Sequence, residues 1–433
     1  MPVWPEFNPL AEEFLADPAE VVAAAHAEHP IFYQPELKLW VLTKHCDITA
    51  ALADFKTFSS RAIGRLPVPP DLAHLVPDYN SDDIIVALDP PEHSAARLVM
   101  QKGFTKRIAD LMEPTAERIA NALITKIETR GACDFINEFA YPFSLGVIME
   151  LLDLPPDRAP DYRRWSEALI TLLVPKVTNE DADVDTAMTP EEIRGHWEAL
   201  AEANMFFADI VSRREHGDGT DLVSAMLAVR DSEGKPVIPR GAVIRHILSL
   251  VTAGHDTSAN LISHLVLLLT DNPEQLDLLR EDETLLPKAI DEALRRRGSA
   301  SMIFRITTSD VVMSGVALPK GALVAMLLPG ANMDADVFPD PARFDIRRSN
   351  SARHLGFGHG LHACIGRALV KVETQVAVRL LYQRLPDLRI DRTSAIEYLP
   401  NFPASMLKSI TARWTPPQPR NRAYLGAWSP DRV

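Results

Sequence analysis

The sequence predicts a mainly α-helical protein that carries small β-sheets. Helical spacing of apolar residues dominates from about residue 95 to residue 294. Short strand-like runs occur near residues 39–43 and recur over 302–324. The third observation is size, because a chain of 433 residues that is 46% hydrophobic can bury a large core.

Composition and charge narrow the class of protein. With 45 basic and 59 acidic residues the formal net charge is −14, which argues against nucleic acid as the main partner. Three cysteines (Cys46, Cys133 and Cys364) are too few for a disulfide scaffold and indicate a reducing compartment. We see no signal peptide and no run of about 18 apolar residues, so we expect a cytoplasmic protein without a membrane anchor.

The individual elements follow from local signals taken in chain order. Residues 31–33 are expected to pair with the strand-like run 39–43. Thr189 as N-cap, Pro190 at the first position and Glu192 in a capping box predict a helix start. The longest helical pattern covers residues 240–270 and would span about 45 Å.

A segment of little periodicity, residues 328–365, follows the second group of strands. Structureless stretches of this length are uncommon inside compact domains and are usually functional or disordered. Phe338, Phe344, Leu355 and Phe357 argue against disorder. The segment ends at Cys364 and leads into a clear helical pattern, so we expect it to carry a site.

The end of that segment, residues 357–366, reads Phe-Gly-His-Gly-Leu-His-Ala-Cys-Ile-Gly. Its three glycines permit a tight turn and a close approach of the backbone to a bulky group. Cys364 lies just before a helix, where backbone N–H groups and the positive end of the helix dipole favour a thiolate. A thiolate in this setting suits ligation of haem iron.

Three other interpretations of Cys364 compete with haem ligation. One is a buried structural cysteine. Another is a zinc site with His354, His359 and His362, although the His-x-Cys spacing is tighter than zinc ligands usually show. The third is a nucleophile with a histidine base, for which no orienting Asn or Asp stands out.

Residues 357–366 resemble the haem-binding loop of the cytochrome P-450 family, with every fixed position present. The resemblance implies heme b (iron protoporphyrin IX) as cofactor and Cys364 as the axial thiolate ligand. It also implies that His362 reaches a haem propionate, that Phe357 packs near the sulfur, and that Gly358 and Gly366 shape the loop. The implied fold is a triangular prism: one domain over residues 1–414, followed by a tail, 415–433.

The middle of the long helix reads Ala253-Gly254-His255-Asp256-Thr257. Glycine costs about 1 kcal/mol inside a helix, so its presence needs a reason. It either makes room for a small ligand or serves helix packing beside a back-bonded threonine. The segment resembles the family's oxygen-binding helix, which implies that Ala253 and Gly254 face the cofactor. Asp256 and Thr257 would then deliver protons as an acid–alcohol pair.

Glu292 and Arg295 lie on one helix face at i, i+3 and could form an ordinary surface ion pair. They resemble the family's Glu-x-x-Arg motif. The resemblance implies a buried triad with Arg343, from the Pro-Ala-Arg-Phe segment, that fixes the cysteine loop.

An acidic protein needs local cations to hold the two haem propionates. His93 and Arg97 share one face of a starting helix and resemble the family's propionate pair. Arg305, on a predicted strand, matches a further propionate arginine of the family. Taken singly, each side chain could equally be a solvated cation.

The resemblance implies a monooxygenase that inserts one oxygen atom from O2 into a largely hydrophobic small molecule. Electrons would come from a separate ferredoxin and ferredoxin reductase, docked near Arg353, Arg367 and Lys371. The alternatives are a haem-thiolate peroxygenase or isomerase, and a non-catalytic haem-binding sensor. By family position the substrate-facing residues are apolar: Ile84, Ile85, Val86, Val251, Met302, Ile303 and Phe402.

Overall fold

The computed structural model describes residues 2–77, 84–175, 188–215, 219, 221–399 and 404–417. Phe402 and residues 418–433 of the tail lie outside the described residues. The helices are α1 Glu12–Ala16, α2 Ala19–Glu28, α3 His45–Ala53, α4 Glu92–Met100, α5 Lys106–Leu111, α6 Glu113–Ile127, α7 Tyr141–Leu152, α8 Ala159–Thr171, α9 Pro190–Arg214, α10 Leu222–Leu227, α11 Arg240–Asp271, α12 Pro273–Glu281, α13 Leu286–Arg297, α14 Leu328–Asn332 and α15 Arg367–Arg384.

The strands are short. They are β1 Ile31–Gln34, β2 Leu39–Leu42, β3 Phe58–Ser59, β4 Ile63–Arg65, β5 Ala132–Asp134, β6 Leu173–Pro175, β7 Met302–Thr307, β8 Val311–Met313, β9 Val316–Leu318, β10 Leu323–Leu327, β11 Arg389–Ile390, β12 Glu397–Leu399, β13 Met406–Ser409 and β14 Thr411–Arg413. The predicted mainly α class with small sheets is therefore confirmed.

Helix α11 runs through the centre of the molecule and matches its predicted extent. It packs against α7, α8, α9, α13 and α15. Its residues are buried around most of its circumference, as expected for a helix enclosed by other helices. The predicted capping box at the start of α9 is present, because the Thr189 hydroxyl accepts from the Glu192 N–H and the Glu192 carboxylate accepts from the Thr189 N–H.

The largest sheet has the strand order β1-β2-β10-β7-β3. The predicted pairing of β1 with β2 is present, antiparallel, with Ile31 opposite Leu42. Strand β7 alternates between two faces: Met302 and Phe304 pack in a cluster with Phe7 and Phe14, whereas Ile303 and Arg305 lie on the other face.

The aperiodic segment after β10 contains only α14 and two short 3-10 turns, Ser351–Arg353 and Gly360–His362. It packs on α13 and leads directly into α15. In the described parts of the chain, no helix is both long and apolar enough to cross a membrane.

Candidate haem-thiolate site

The cysteine loop is folded back on itself at the start of α15. The Cys364 N–H donates to the Phe357 carbonyl at 2.8 Å. Gly358 and Gly360 both have positive φ, 67° and 68°. A Cβ at Gly360 would lie 2.6 Å from the Leu52 carbonyl oxygen of α3, so this position requires glycine. The loop is thereby clamped between α3 and α15.

The environment of Cys364 is balanced between burial and positive charge. Burial raises the pKa of its thiol, while the backbone N–H groups of Gly366 and Arg367 and the charges of Arg97 and Arg367 oppose that rise. The side chain is accessible even though protein surrounds it, as expected of a group that lines an internal cleft. Because the effect of burial is the larger one, the pKa of the Cys364 thiol is raised overall. A bound metal ion would therefore have to drive deprotonation of this thiol.

Four basic side chains converge beside the loop. The rings of His93 and His362 lie 4.0 Å apart. Arg97 and Arg305 act electrostatically on both rings. Burial, followed by the neighbouring cations, lowers the pKa of His362 to about 3. Burial likewise lowers the pKa of Arg305 to about 10, because desolvation disfavours the charged guanidinium. The protein therefore holds a positive charge beside the loop at a cost in desolvation free energy.

This basic cluster fits a group with carboxylates. His93 is 1% exposed, and both of its ring nitrogens lack a hydrogen-bond partner among the described residues. Neither Arg97 nor Arg305 forms an ion pair with a described acid, and Arg305 donates to the Phe304 carbonyl at 2.7 Å. Buried donors without partners are costly, so the chemistry of this cluster fits an anionic ligand, and haem propionates meet that requirement.

Sequence reasoning missed the residues that orient His362. The Ser60 hydroxyl lies 2.9 Å from Nε2 of His362, and the Ser60 N–H donates to Asp89 at 2.8 Å. Asp89 also accepts from the Ser59 hydroxyl. Nothing in the sequence linked Asp89 to Ser59 and Ser60, which lie about 30 residues earlier in the chain.

The central helix presents small residues on the side opposite its core face. Ala253 is exposed in the middle of a helix that is otherwise largely buried. The Thr257 hydroxyl donates to the Ala253 carbonyl at 2.8 Å, and the Ser299 hydroxyl donates to the Thr257 carbonyl. Asp256 has a side chain that is 23% exposed. The predicted acid and alcohol therefore both reach accessible space.

Of the two reasons considered for Gly254, the structure supports helix packing. A Cβ at Gly254 would lie 3.0 Å from Cγ1 of Ile148 on α7, so the missing side chain makes room for helix packing. The exposed position on this part of the helix is Ala253.

The buried ion-pair network contains a different third member from the one predicted. Arg295 and Glu292, both fully buried, form a bidentate pair with two contacts of 2.8 Å. Nε of Arg348 lies 3.0 Å from Oε1 of Glu292. The side chain of Arg343 is exposed, and this residue contributes only its carbonyl, which accepts from Arg295. The prediction of Arg343 as the third charged group was wrong, and Arg348 holds that place.

The predicted substrate-facing residues divide into two groups. Ile303 lies 3.8 Å from the position of a Gly358 Cβ, and Ile85 and Val86 are partly or fully exposed, whereas Ile84 is buried. Two predictions were wrong because the side chains lie in packed cores. Val251 is fully buried on the core face of α11, and Met302 packs with Phe7 on the far face of β7.

Two of the competing interpretations of Cys364, the zinc site and the buried structural cysteine, find no support in the geometry, since the side chain is exposed. Among the described residues, no group of three or more His, Cys, Asp or Glu side chains could hold a metal ion, which argues against zinc. His354 is engaged elsewhere, because Nε2 lies 3.4 Å from Asp291 and Nδ1 accepts from Gly356. An accessible thiol before a helix and beside a cradle for carboxylates defines the class of haem-thiolate proteins.

Comparison with known proteins places the chain more narrowly. A family model described as Cytochrome P450 matches residues 32–386. The chain therefore belongs to the cytochrome P450 family; it is a haem-thiolate monooxygenase, and its cofactor is haem b.

Similar curated proteins come from several bacteria. Cytochrome P450 107B1 of Saccharopolyspora erythraea is 34% identical over 360 residues, which cover 82% of this chain and 84% of that protein. The cytochrome P450 monooxygenase PikC of Streptomyces venezuelae is 32% identical over 418 residues and 94% of each chain. The solved structure of cytochrome P450 CREJ in complex with (4-ethylphenyl) dihydrogen phosphate superposes with a TM-score of 0.84 at 27% identity, covering 95% of this chain and 100% of that one.

Proposed function

We propose that this cytochrome P450 inserts one oxygen atom from O2 into a largely hydrophobic small molecule, using electrons from a ferredoxin and a ferredoxin reductase. The observation that carries the proposal is the accessible Ala253 in the middle of a buried helix, with Asp256 and Thr257 within one turn. This arrangement serves proton delivery, which a haem-binding sensor or an isomerase does not need.

Each site residue has a role in this proposal. Cys364 ligates the iron, and His93, Arg97, Arg305 and His362 hold the propionates. The bound haem supplies the redox chemistry that activates oxygen. Since the Thr257 hydroxyl donates its hydrogen to the Ala253 carbonyl, the lone pairs of the Thr257 oxygen are free to accept a hydrogen bond from an acid.

The apolar character of the accessible residues supports a hydrophobic substrate. Ile85, Val86 and Ile303 offer hydrocarbon surface near the cysteine loop. A relative also supports a hydrophobic substrate, since it is named a Vitamin D(3) 25-hydroxylase of Pseudonocardia autotrophica and is 31% identical over 387 residues. We propose that residues 1–414 form one domain around this site.

The docking of an acidic ferredoxin is proposed at the outer face of the cysteine loop. Arg353 and Arg367 are exposed there and carry positive charge. Lys371, which we also expected at this surface, is held by Asp291 at 2.6 Å, so its charge is already compensated.

The test is a comparison of turnover with different oxidants after a spectral check. The reduced CO complex should show the thiolate-type Soret shift, and its absence would overturn the haem-thiolate assignment. We expect product with NAD(P)H, a ferredoxin system and O2. Product with H2O2 alone, and none with the redox chain, would favour the peroxygenase.

A matched pair of variants on α11 tests the proton role. Thr257→Ala should raise NAD(P)H consumption per product by about tenfold or more, since general acid relays contribute about 10²–10⁴ in rate. Ser263→Ala is the control, because Ser263 makes the same back-bond, to Ala259 at 2.7 Å, in the buried part of the helix. Equal coupling in both variants would argue for a sensor or for another proton route.

A further inference from the structure

A buried histidine lies behind the cysteine loop, where the end of the aperiodic segment packs on α13. His354 is 6% exposed and lies three residues before Phe357. The Gly356 N–H donates to Nδ1 of His354 at 2.9 Å. Nε2 lies 3.4 Å from Oδ1 of Asp291, which is a long distance for a hydrogen bond. The imidazole is therefore held on both sides, and more tightly at Nδ1.

These two contacts decide which ring nitrogen of His354 carries the hydrogen. Nδ1 accepts from a backbone N–H, so it presents a lone pair and holds no hydrogen. The hydrogen of a neutral ring is then on Nε2, next to the carboxylate oxygen of Asp291. Burial lowers the pKa of His354, in agreement with a neutral ring. His354 is thus an acceptor toward the loop and a donor toward α13.

Asp291 is itself anchored between two helices. It lies on α13, and its Oδ1 accepts from Nζ of Lys371, on α15, at 2.6 Å. Against burial, which would raise it, the hydrogen bonds from His354 and Lys371 hold the pKa of Asp291 below its usual value. The Asp291 carboxylate therefore connects α13, α15 and the segment that carries the cysteine loop.

On its other side, His354 contacts the residues that precede the cysteine. A Cβ at Gly356 would lie 3.0 Å from Nδ1 of His354 and 3.1 Å from the Leu294 carbonyl oxygen, so the backbone passes close to both. The ring of Phe357 lies 5.6 Å from the His354 ring, and the Phe357 carbonyl accepts from the Cys364 N–H at 2.8 Å. A displacement of His354 is therefore passed to Phe357 and to the backbone of the cysteine by direct contact.

We propose that His354 is a positioning residue that fixes Phe357 beside Cys364 through the Gly356 N–H, and that Asp291 holds His354 in the tautomer this bond requires. The inference rests on the proposed role of Cys364 as the iron ligand. It adds two residues that lie outside the loop of residues 357–366 and act on the sulfur only through their neighbours.

The surroundings of the sulfur influence how easily the bound haem is reduced. One-electron reduction leaves the haem and its thiolate with one more negative charge, which a poorly solvated pocket disfavours. A Phe357 ring held firmly in the loop keeps water away from the sulfur and keeps the reduction potential low. A loosened ring admits water, stabilises the reduced form and raises the potential.

Potentiometric titration of the holoenzyme tests the proposal. His354→Phe keeps an aromatic ring and removes the acceptor for the Gly356 N–H. We expect the equilibrium constant for one-electron reduction to rise about threefold or more, a shift of roughly 28 mV at about 59 mV per tenfold change. His354→Asn offers a carbonyl oxygen to the same N–H and should return the potential toward that of the unsubstituted protein. The proposal fails if His354→Phe leaves the potential unchanged, or if His354→Asn shifts it just as far.

His246→Phe is the matched control, because His246 is also a buried histidine but lies on α11, outside the aperiodic segment. We expect it to leave the potential unchanged, even where it lowers the unfolding midpoint. Equal shifts of potential in His246→Phe and His354→Phe would mean a general loosening of the fold and would overturn the positioning role. Lower stability of His354→Phe with an unchanged potential would show a merely structural residue.

A double-substitution cycle tests Asp291. Asp291→Asn removes a negative charge, which by itself raises the potential, so its effect is measured both in the unsubstituted protein and in His354→Phe. We expect a smaller shift in the His354→Phe background, because the ring that Asp291 orients is absent there. Equal shifts in the two backgrounds would show that Asp291 acts through its charge alone and would refute its positioning role.

The tautomer of His354 is measured without any substitution in the protein under test. In the diamagnetic ferrous CO form, labelled with 15N in histidine rings, we expect a neutral His354 with its hydrogen on Nε2; the signal is assigned by its loss in His354→Phe. A hydrogen on Nδ1 would refute the inference. The same CO complex reports failure of the proposed function separately, since absence of the thiolate-type Soret shift counts against Cys364 as the ligand whatever the tautomer of His354.

Discussion

Replacement of Arg348 by alanine tests the corrected ion-pair network most directly. Nε of Arg348 bonds the fully buried Glu292 at 3.0 Å. Its other guanidinium nitrogens donate to the carbonyls of Pro339 at 2.6 Å and of Asp340 and Arg343 at 3.0 Å. One side chain therefore ties the segment that leads to the cysteine loop onto α13.

The size of the effect follows from what remains after the substitution. Arg295 still neutralises Glu292, so the loss is smaller than the roughly 3–5 kcal/mol expected when a buried charge loses its only partner. One bond to a charged group is worth about 1.5–3 kcal/mol, and the freed carbonyls lie near enough to solvent to be rehydrated. We expect Arg348→Ala to lower the free energy of unfolding by about 2–4 kcal/mol.

Arg343→Ala is the matched control, because Arg343 lies five residues away in the same segment and its side chain is exposed. It should change stability by less than about 0.5 kcal/mol. Urea unfolding of the holoenzyme, followed by both circular dichroism and haem absorbance, checks both variants, since bound cofactors can break two-state behaviour. The reasoning fails if Arg343→Ala destabilises the protein as much as Arg348→Ala does.

Substitutions at three further positions probe burial, charge and packing. Burial raises the pKa of Glu373 to about 8 from 4.5, so the folded chain keeps a proton that the unfolded chain releases, and stability is lost as the pH rises through 8. Glu373→Gln removes this loss, so the unfolding midpoint of the variant should rise relative to that of the unsubstituted protein between about pH 5 and about pH 9. A difference in midpoint that stays constant with pH would contradict this prediction. Arg305→Met should stabilise the haem-free protein and speed haem transfer to haem-free myoglobin, because it removes a buried cation that lacks a described acid partner; slower transfer would contradict it. Gly254→Val should cost about 1–3 kcal/mol in thermal unfolding by overlap with Ile148, whereas Gly254→Ala should stay within about 1 kcal/mol; equal effects would mean that the contact is not limiting.

The elements of the fold were predictable wherever local chemistry decided them. The apolar spacing of α11, the capping box at Thr189 and the pairing of β1 with β2 all depend on residues close in sequence. The order of the main sheet was not predictable in this way. It places β10 between β2 and β7, and β2 lies more than 250 residues before them in the chain.

The site was predictable only as far as motifs fix it. The resemblance of the Pro-Ala-Arg-Phe segment implied Arg343, but whether Arg343 or Arg348 turns inward depends on the path of an irregular segment. Likewise, Met302 and Ile303 are neighbours in sequence, and strand alternation sends them to opposite faces of β7. Residue type alone does not decide either case, since Arg343 and Arg348 carry the same side chain and Met302 and Ile303 are both apolar.

The basic cluster explains how an acidic protein can hold a cofactor with two carboxylates. A net charge of −14 repels an anion at long range, but salt screens that field beyond about 10 Å. Affinity must therefore come from cations and donors in direct contact. Asp89 is the one acid of the described residues whose charge acts on both His93 and Arg305, and its oxygens already accept from Ser59 and Ser60. Since Arg305 forms no ion pair with an acid among the described residues, we propose that the haem carboxylates complete the site and that haem binding stabilises the folded chain.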